Sequence, residues 1–392
     1  MRSPHPQPLV SFAVSRDGRT LATGSEASFE TDYDAPTVGV VLWDLSSLTV
    51  QHRVPVRGGV GLSDQLKRGL QFSSSGELLG VNFHTCAVGA IDVATGQLVL
   101  EWDSMGWDFA PTYCISDDDR QLFFGWGGDH CSDDSVGLIA PARGGVVHKP
   151  ACVPGGSGRG HLSAVSFRSG VVHGVTETHE LISLDVRRGA VVRTLPLFLG
   201  ARPDAEGFLT LTPSPSGRYL FASAIDRASG KPTLPGTHVL DLDTGVRVFE
   251  DDRLTNIAGF AIAASEHRWA AIGSNRALSI GAPDWIALFE HGRPIGRIEG
   301  PLEKRDWLRF ADGLPFCFSP DGREGLVLRP GGTLELWDLA GAPRRMCTLG
   351  EVPDVRGVAW PQPGLALAIG PGILTFLDIS LGAPRAWHTF PG

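Results

Sequence analysis

The sequence predicts an all-β fold, a closed ring of like four-stranded antiparallel sheets. Three observations carry that expectation. A Trp-Asp pair ends an apolar alternating run twice, at Trp43-Asp44 and Trp337-Asp338. Weaker copies of the same unit end at Ile91-Asp92, Ile139-Ala140, Leu184-Asp185, Leu240-Asp241, Phe289-Glu290 and Leu377-Asp378, a spacing of about 40 to 56 residues that marks a stacked repeat. No stretch keeps helical periodicity for more than about two or three turns, and the 50 glycines and 28 prolines suit a chain of many turns.

The first unit opens with Leu9-Val-Ser-Phe-Ala-Val and the turn Arg16-Asp17-Gly18, and continues as Thr20-Leu-Ala-Thr-Gly-Ser25. After an insertion it resumes as Val38-Gly-Val-Val-Leu-Trp-Asp44, turns at Ser46-Ser47, and ends with Leu48-Thr-Val-Gln-His-Arg-Val54. These are four short runs of period two, rich in β-branched residues and punctuated by turn residues. They are the inner, second, third and outer strands of one sheet. Asp-Gly between apolar runs is a tight-turn signal, because glycine takes positive φ without steric cost. Unit seven repeats the scheme as Pro315-Phe-Cys-Phe-Ser-Pro-Asp-Gly322, Gly325-Leu-Val-Leu328 and Thr333-Leu-Glu-Leu-Trp-Asp338. The first turn recurs as Ser75-Gly76, Asp118-Asp119, Ser169-Gly170, Ser216-Gly217, Glu266-His267 and Pro363-Gly364, and the second as Ala94-Thr95-Gly96, Arg188-Gly189 and Asp243-Thr244-Gly245. Eight units result, at about 9–54, 68–103, 110–151, 161–196, 207–250, 257–300, 314–349 and 354–390, so that one β-propeller spans 1–392; seven blades is the alternative if one weak unit is a decorated loop.

The phrases Phe318-Ser319-Pro320-Asp321-Gly322 and Leu336-Trp337-Asp338-Leu339 make the chain resemble the WD-repeat (WD40-like) propeller family, with degenerate repeats. Gly160-His161 is a lone echo of that family's Gly-His pair, which most units lack, so the family's buried Asp-His-Ser/Thr-Trp network stays an open question for this chain. The resemblance covers nearly the whole chain. Each unit holds its own outer strand, so closure is expected by face packing of two whole blades. Prolines at positions 4, 6 and 8 make the first residues poor strand formers.

Apolar content of 42% supports a real core, and the net charge of −9 argues against binding a phosphate backbone or an anionic membrane surface. No run approaches the length of a membrane span, and the N-terminus lacks an apolar signal region, so a cytoplasmic protein is expected. The six cysteines read as mostly buried free thiols of a reducing compartment.

Strands of a blade alternate in direction. The inner-to-second and third-to-outer turns therefore share one face of the ring, and there the connections are short. The other face receives the insertions, including Glu26–Thr37, Asp103–Pro111, Trp126–Ser135, Pro196–Gly207, Asp226–Gly236 and Pro301–Gly313. Insertions of a repeat protein collect on its binding face, and large aromatics and arginine anchor protein interfaces. The expected partner-binding face comprises Phe29, Asp32, Tyr33, Asp34, Trp107, Trp126, Arg202, Arg227, Lys304, Arg305 and Trp307; Trp285, which precedes a strand, reads equally as a further loop aromatic or as a cap of the ring's own core. Its charges divide into an acidic side near units one and three and a basic side in later units. The expected occupant is another protein or protein complex; no cofactor is expected.

The enzyme-like readings are thin. Asp129, His130, Asp133 and Asp134 are weak metal candidates, without zinc spacing or a calcium-loop pattern. Gly155-Gly-Ser-Gly-Arg-Gly160 lacks the lysine of a phosphate loop, and no nucleophile elbow is present. A non-catalytic interaction scaffold is the expected function; the alternative is an enzyme or sensor binding a ligand or metal in the axial cavity.

Overall fold

A sheet covered on both faces by its neighbours needs apolar residues on both sides of its central strands, whereas its outermost strand needs them on only one. The computed structural model follows that rule. It describes residues 5, 8–25, 36–57, 60, 69–83, 88–102, 112–125, 135–146, 151–154, 162–176, 179–197, 207–226, 236–275, 283–303, 313–380 and 383–389. Second strands such as Leu78–Asn82 and Leu365–Gly370 are buried at every position. Outer strands such as Ala190–Pro196 and Arg247–Asp251 alternate with period two.

The strands form eight antiparallel sheets, the blades of a β-propeller. Blade 1 is Leu9–Val14, Thr20–Ser25, Pro36–Asp44 and Thr49–Arg57. Later blades run from inner to outer strand as Leu70–Phe72 to Gln97–Trp102, Thr112–Ile115 to Ala151–Pro154, Leu162–Arg168 to Ala190–Pro196, and Gly207–Pro213 to Arg247–Asp251. Blades 6 to 8 run from Ile257–Ile262 to Arg293–Glu299, Phe316–Phe318 to Arg344–Glu351, and Gly357–Gln362 to Ala383–Thr389. The 3-10 turn Pro330–Gly332 is the one helical element among the described residues, none of which form a helix long and apolar enough to cross a membrane.

Each interface between neighbouring blades holds its own apolar cluster. Blades 8 and 1 close the ring by the same face packing. Trp43 meets Phe376 edge-on at 5.9 Å between ring centroids, Leu9 N–H donates to Pro371 O at 2.9 Å, and Gln362 Nε2 donates to Gly18 O at 2.9 Å.

The recurring turn residues have a physical role. In blade 7, Ser319 Oγ donates to Asp321 Oδ1 at 2.7 Å and accepts from Glu324 N–H at 2.9 Å, while Gly322 at φ 72° completes the turn. The hydroxyl and the Arg323 amide hold the Asp321 carboxyl below the usual carboxylate range. Ser15 and Ser116 repeat the arrangement in blades 1 and 3. The aspartate of the Trp-Asp pair caps the next turn: Asp44, Asp92, Asp185, Asp241, Asp338 and Asp378 each accept backbone amides two or three residues on. Blades 3 and 6, with Ala140 and Glu290 there, are the two exceptions.

Two features go beyond the expected pattern. Seven blades carry a bulge in the third-to-outer pairing close to the third-to-outer turn, for example between Leu42 and Trp43 or between Leu336 and Trp337. Blade 3 is the exception. There the chain leaves the third strand, Ser135–Pro141, and crosses back to blade 2, where Gly145–Val146 adds as a fifth, parallel strand on the outer edge. Arg143 meets Asp92 of blade 2 at the crossing.

Candidate functional site

The residues singled out for the partner-binding face lie outside the described residues. These are Phe29, Asp32, Tyr33, Asp34, Trp107, Trp126, Arg202, Arg227, Lys304, Arg305 and Trp307, together with the metal candidates Asp129, His130, Asp133 and Asp134. What the structure does place is the frame around them. The inner-to-second turns are residues 15–19, 73–77, 116–120, 169–170, 214–218, 263–267, 319–323 and 363–364. All are short, and so are the third-to-outer turns apart from the 142–150 crossing. The strand ends flanking residues 26–35, 103–111, 126–134, 227–235 and 304–312 all lie on the opposite face.

Of the two readings of Trp285, loop aromatic or cap of the ring's own core, the structure bears out the second. This residue opens the third strand Trp285–Glu290 of blade 6, is 4% exposed within the apolar cluster between blades 5 and 6, and stacks under the Arg297 guanidinium at 4.6 Å. It is a core residue, because a large indole at the end of a strand covered on both faces is drawn between the sheets. Trp43 is fully buried. Its indole N–H donates to Thr23 Oγ1 at 2.9 Å, and the His5 ring reaches Thr23 Oγ1 at 2.8 Å and Ser25 Oγ at 3.0 Å. Blade 1 therefore has a buried Trp-Thr-His network, although its sequence lacks the Gly-His pair that marks one in the WD-repeat pattern. The histidine lies ahead of the first strand, without a preceding glycine to flag it. Trp337, half-buried, instead donates to Glu335 Oε2 at 3.1 Å, a carboxylate also held by Arg329 at 2.9 Å.

The short-turn face is stitched from blade to blade. Ser73 Oγ donates to Asp119 at 3.2 Å and Ser75 Oγ donates to the same carboxylate. Ser169 N–H donates to Asp117, Ser166 Oγ donates to Gly217 O at 2.9 Å, and Arg268 donates to Gly322 O and Leu339 O. Arg193 of blade 4 donates to Leu242 O and Asp243 O of blade 5.

An axial cavity of about 790 Å³ opens on this face and is lined by the inner strands of all eight blades. One equivalent position on each strand lines it: Ala13, Gln71, Cys114, Ser166, Thr212, Ala261, Cys317 and Ala359. These side chains are uncharged, and all but Gln71 are small. Burial pushes the Cys114 and Cys317 thiols far up, which keeps them protonated and poorly nucleophilic. The rim carries Arg16, Asp17, Arg19 and Arg168. Of the unit-four histidines His161, His173 and His179, His161 lies outside the described residues. His173 is buried against Ser183 Oγ at 3.0 Å and His179 occupies a turn at φ 61°. Among the described residues no three His, Cys, Asp or Glu side chains are grouped to hold a metal ion.

No protein-family model matches the chain, and no curated protein matches it in sequence. Solved structures do resemble it. The dihydro-heme d1 dehydrogenase NirN in complex with DHE gives a TM-score of 0.60 at 16% identity, over 100% of this chain and 74% of that one. The propeller of Dos1 gives 0.59 at 15% identity, over 95% and 93% of the two chains. The β-propeller domain of Cps50 (Swd1) from Myceliophteria thermophila gives 0.53 at 15%, over 97% and 98%. At such identities the likeness establishes the propeller fold.

Proposed function

We propose that the protein is a non-catalytic interaction scaffold of the WD-repeat type that presents its insertion-bearing face to a protein partner. The observation that carries this reading is the asymmetry of the ring. One face is closed by short turns bonded from blade to blade, and the long connections leave the strands on the other. A rigid frame with all its variable segments on one side is the arrangement by which repeat folds position binding loops. A standard interface covers about 800 Å² on each partner, within reach of a few such segments. The aromatics Trp107 and Trp307 and the flanking charges are the anchors of this reading. Affinity capture from the native host tests it. Trp107→Ala and Trp307→Ala should each weaken partner binding by about 2 kcal/mol while far-ultraviolet dichroism is unchanged. Wild-type capture by both variants would overturn it.

A second reading is favoured by the axial cavity, whose volume of about 790 Å³ suits a small ligand. The eight inner-strand residues of its wall are neutral, and Arg16, Asp17, Arg19 and Arg168 at the rim supply its charged groups, so an enzyme or sensor of the axial cavity is the second reading. A thermal-shift screen with divalent ions and metabolites separates the two, because a ligand held by the folded state raises the melting temperature.

A further inference from the structure

Each blade carries one backbone hydrogen bond on the short-turn face, from the residue just after its third strand to the residue just before its second. In seven blades the donor is apolar, and Leu45, Ala142, Leu242 and Leu339 among them are buried. Blade 6 departs from the rule. Its donor is His291, whose N–H reaches His267 O at 2.8 Å. The neighbouring residues Arg268 and Glu290 are the last pair of the two strands, so the histidines extend the register by one step. Directly opposed residues of an antiparallel pair share one face. The two imidazoles accordingly lie 4.6 Å apart between centroids, tilted by 33°, and both side chains are exposed.

Three further observations set this pair apart. His291 stands at φ 49°, so the chain accepts left-handed strain of about 1 kcal/mol to hold an exposed imidazole where other blades bury an aliphatic. Neither ring hydrogen-bonds to any of the described residues. The Glu290 carboxylate, one residue from His291, takes Arg268 Nε at 2.8 Å and Nη2 at 2.7 Å on Oε1 alone, and its Oε2 accepts nothing among the described residues. Opposed histidines repel when both are protonated. A shared metal ion turns the same juxtaposition into joint ligation. Two imidazole nitrogens about 2.1 Å from one ion, at right angles to each other, put their ring centroids about 4.5 Å apart. The observed separation matches.

We propose that His267 and His291 form a two-histidine site for a late first-row divalent ion, zinc, nickel or copper, with water in the remaining positions. Imidazole suits these ions, whereas calcium and magnesium take oxygen ligands. The site lies on the short-turn face and rests on neither the loop-face nor the axial-cavity reading.

The test is calorimetric titration of the full chain with Zn²⁺, alongside His267→Gln and His291→Gln. A second imidazole makes binding a chelate and raises affinity by about a hundredfold or more. Each variant should therefore lose the tightest zinc equivalent of the wild type, and Ca²⁺ should give no such equivalent. Both histidines are exposed, so far-ultraviolet dichroism of the variants should match the wild type. With substoichiometric Cu²⁺, electron paramagnetic resonance of the wild type should show coupling to two ring nitrogens, a readout that needs no variant. A wild-type copper spectrum without two coupled nitrogens would overturn the proposal. So would a zinc isotherm unchanged in either variant, because a shared ion needs both rings.

Discussion

The carboxylate of Glu266 in blade 6 accepts hydrogen bonds from the backbone amide and, at 2.8 Å, the hydroxyl of Ser216 in blade 5. Glu266 stands at φ 60° in the inner-to-second turn, at the position that Gly18, Gly76, Gly217 and Gly322 hold in other blades. Asp119 does the same in blade 3, at φ 56°, reaching back to Ser73 and Ser75. A left-handed non-glycine residue costs about 1 kcal/mol, and a hydrogen bond to a charged group contributes about 1.5 kcal/mol or more. The two bonds outweigh the strain.

Glu266→Ala, which keeps the strain and loses the bonds, should therefore destabilise the ring by about 2 kcal/mol. Glu266→Gly should cost about half of that, because it relieves the backbone. Urea denaturation with an unchanged slope is the measurement. A Glu266→Gly protein more stable than wild type would show that the bridge contributes nothing.

The two Trp-Asp tryptophans should differ. Trp43 is wholly buried at the seam that closes the ring, so Trp43→Ala should cost about 3–5 kcal/mol. Trp43→Phe should cost about 1–2 kcal/mol through loss of the indole donor to Thr23. Trp337 is half-buried, and Trp337→Ala should cost about 2 kcal/mol. Equal losses at the two sites by denaturant titration would contradict the packing described.

Burial lowers the pKa of His173 from 6.5 to about 4. The folded state then holds a neutral imidazole where the unfolded chain binds a proton, so stability falls as pH drops through the window between those values. By pH 4 the loss is roughly 3 kcal/mol. Wild-type stability measured between pH 7 and 4 should fall more steeply than that of His173→Gln. Parallel curves would place the histidine in contact with water.

The ring was legible because its turn chemistry is local. Asp17-Gly18, Asp321-Gly322 and the aspartates ending third strands stabilise turns within a few residues of themselves. Their spacing therefore reports the sheet directly, and eight such units make the eight blades. What escaped the reading depends on contacts distant in the chain. His5 pairs with Thr23 across the entry to blade 1, and Gly145–Val146 pairs with blade 2 across a blade boundary. Neither leaves a periodic mark. Glu266 and Asp119 were visible as departures from glycine at a turn position, a signal that strain there is offset by a bond elsewhere. Trp285 stayed open between loop and core because an aromatic at a strand end looks the same in sequence whether it faces a neighbouring sheet or solvent.

The central claim is that recognition belongs to the insertion-bearing face. Cross-linking mass spectrometry of the protein with the partner it captures from its native host tests this most directly. Cross-links concentrated in residues 26–35, 103–111, 126–134, 198–206, 227–235 and 304–312 are the expected result. Cross-links concentrated on the short turns, such as 73–77, 214–218 and 319–323, would contradict it.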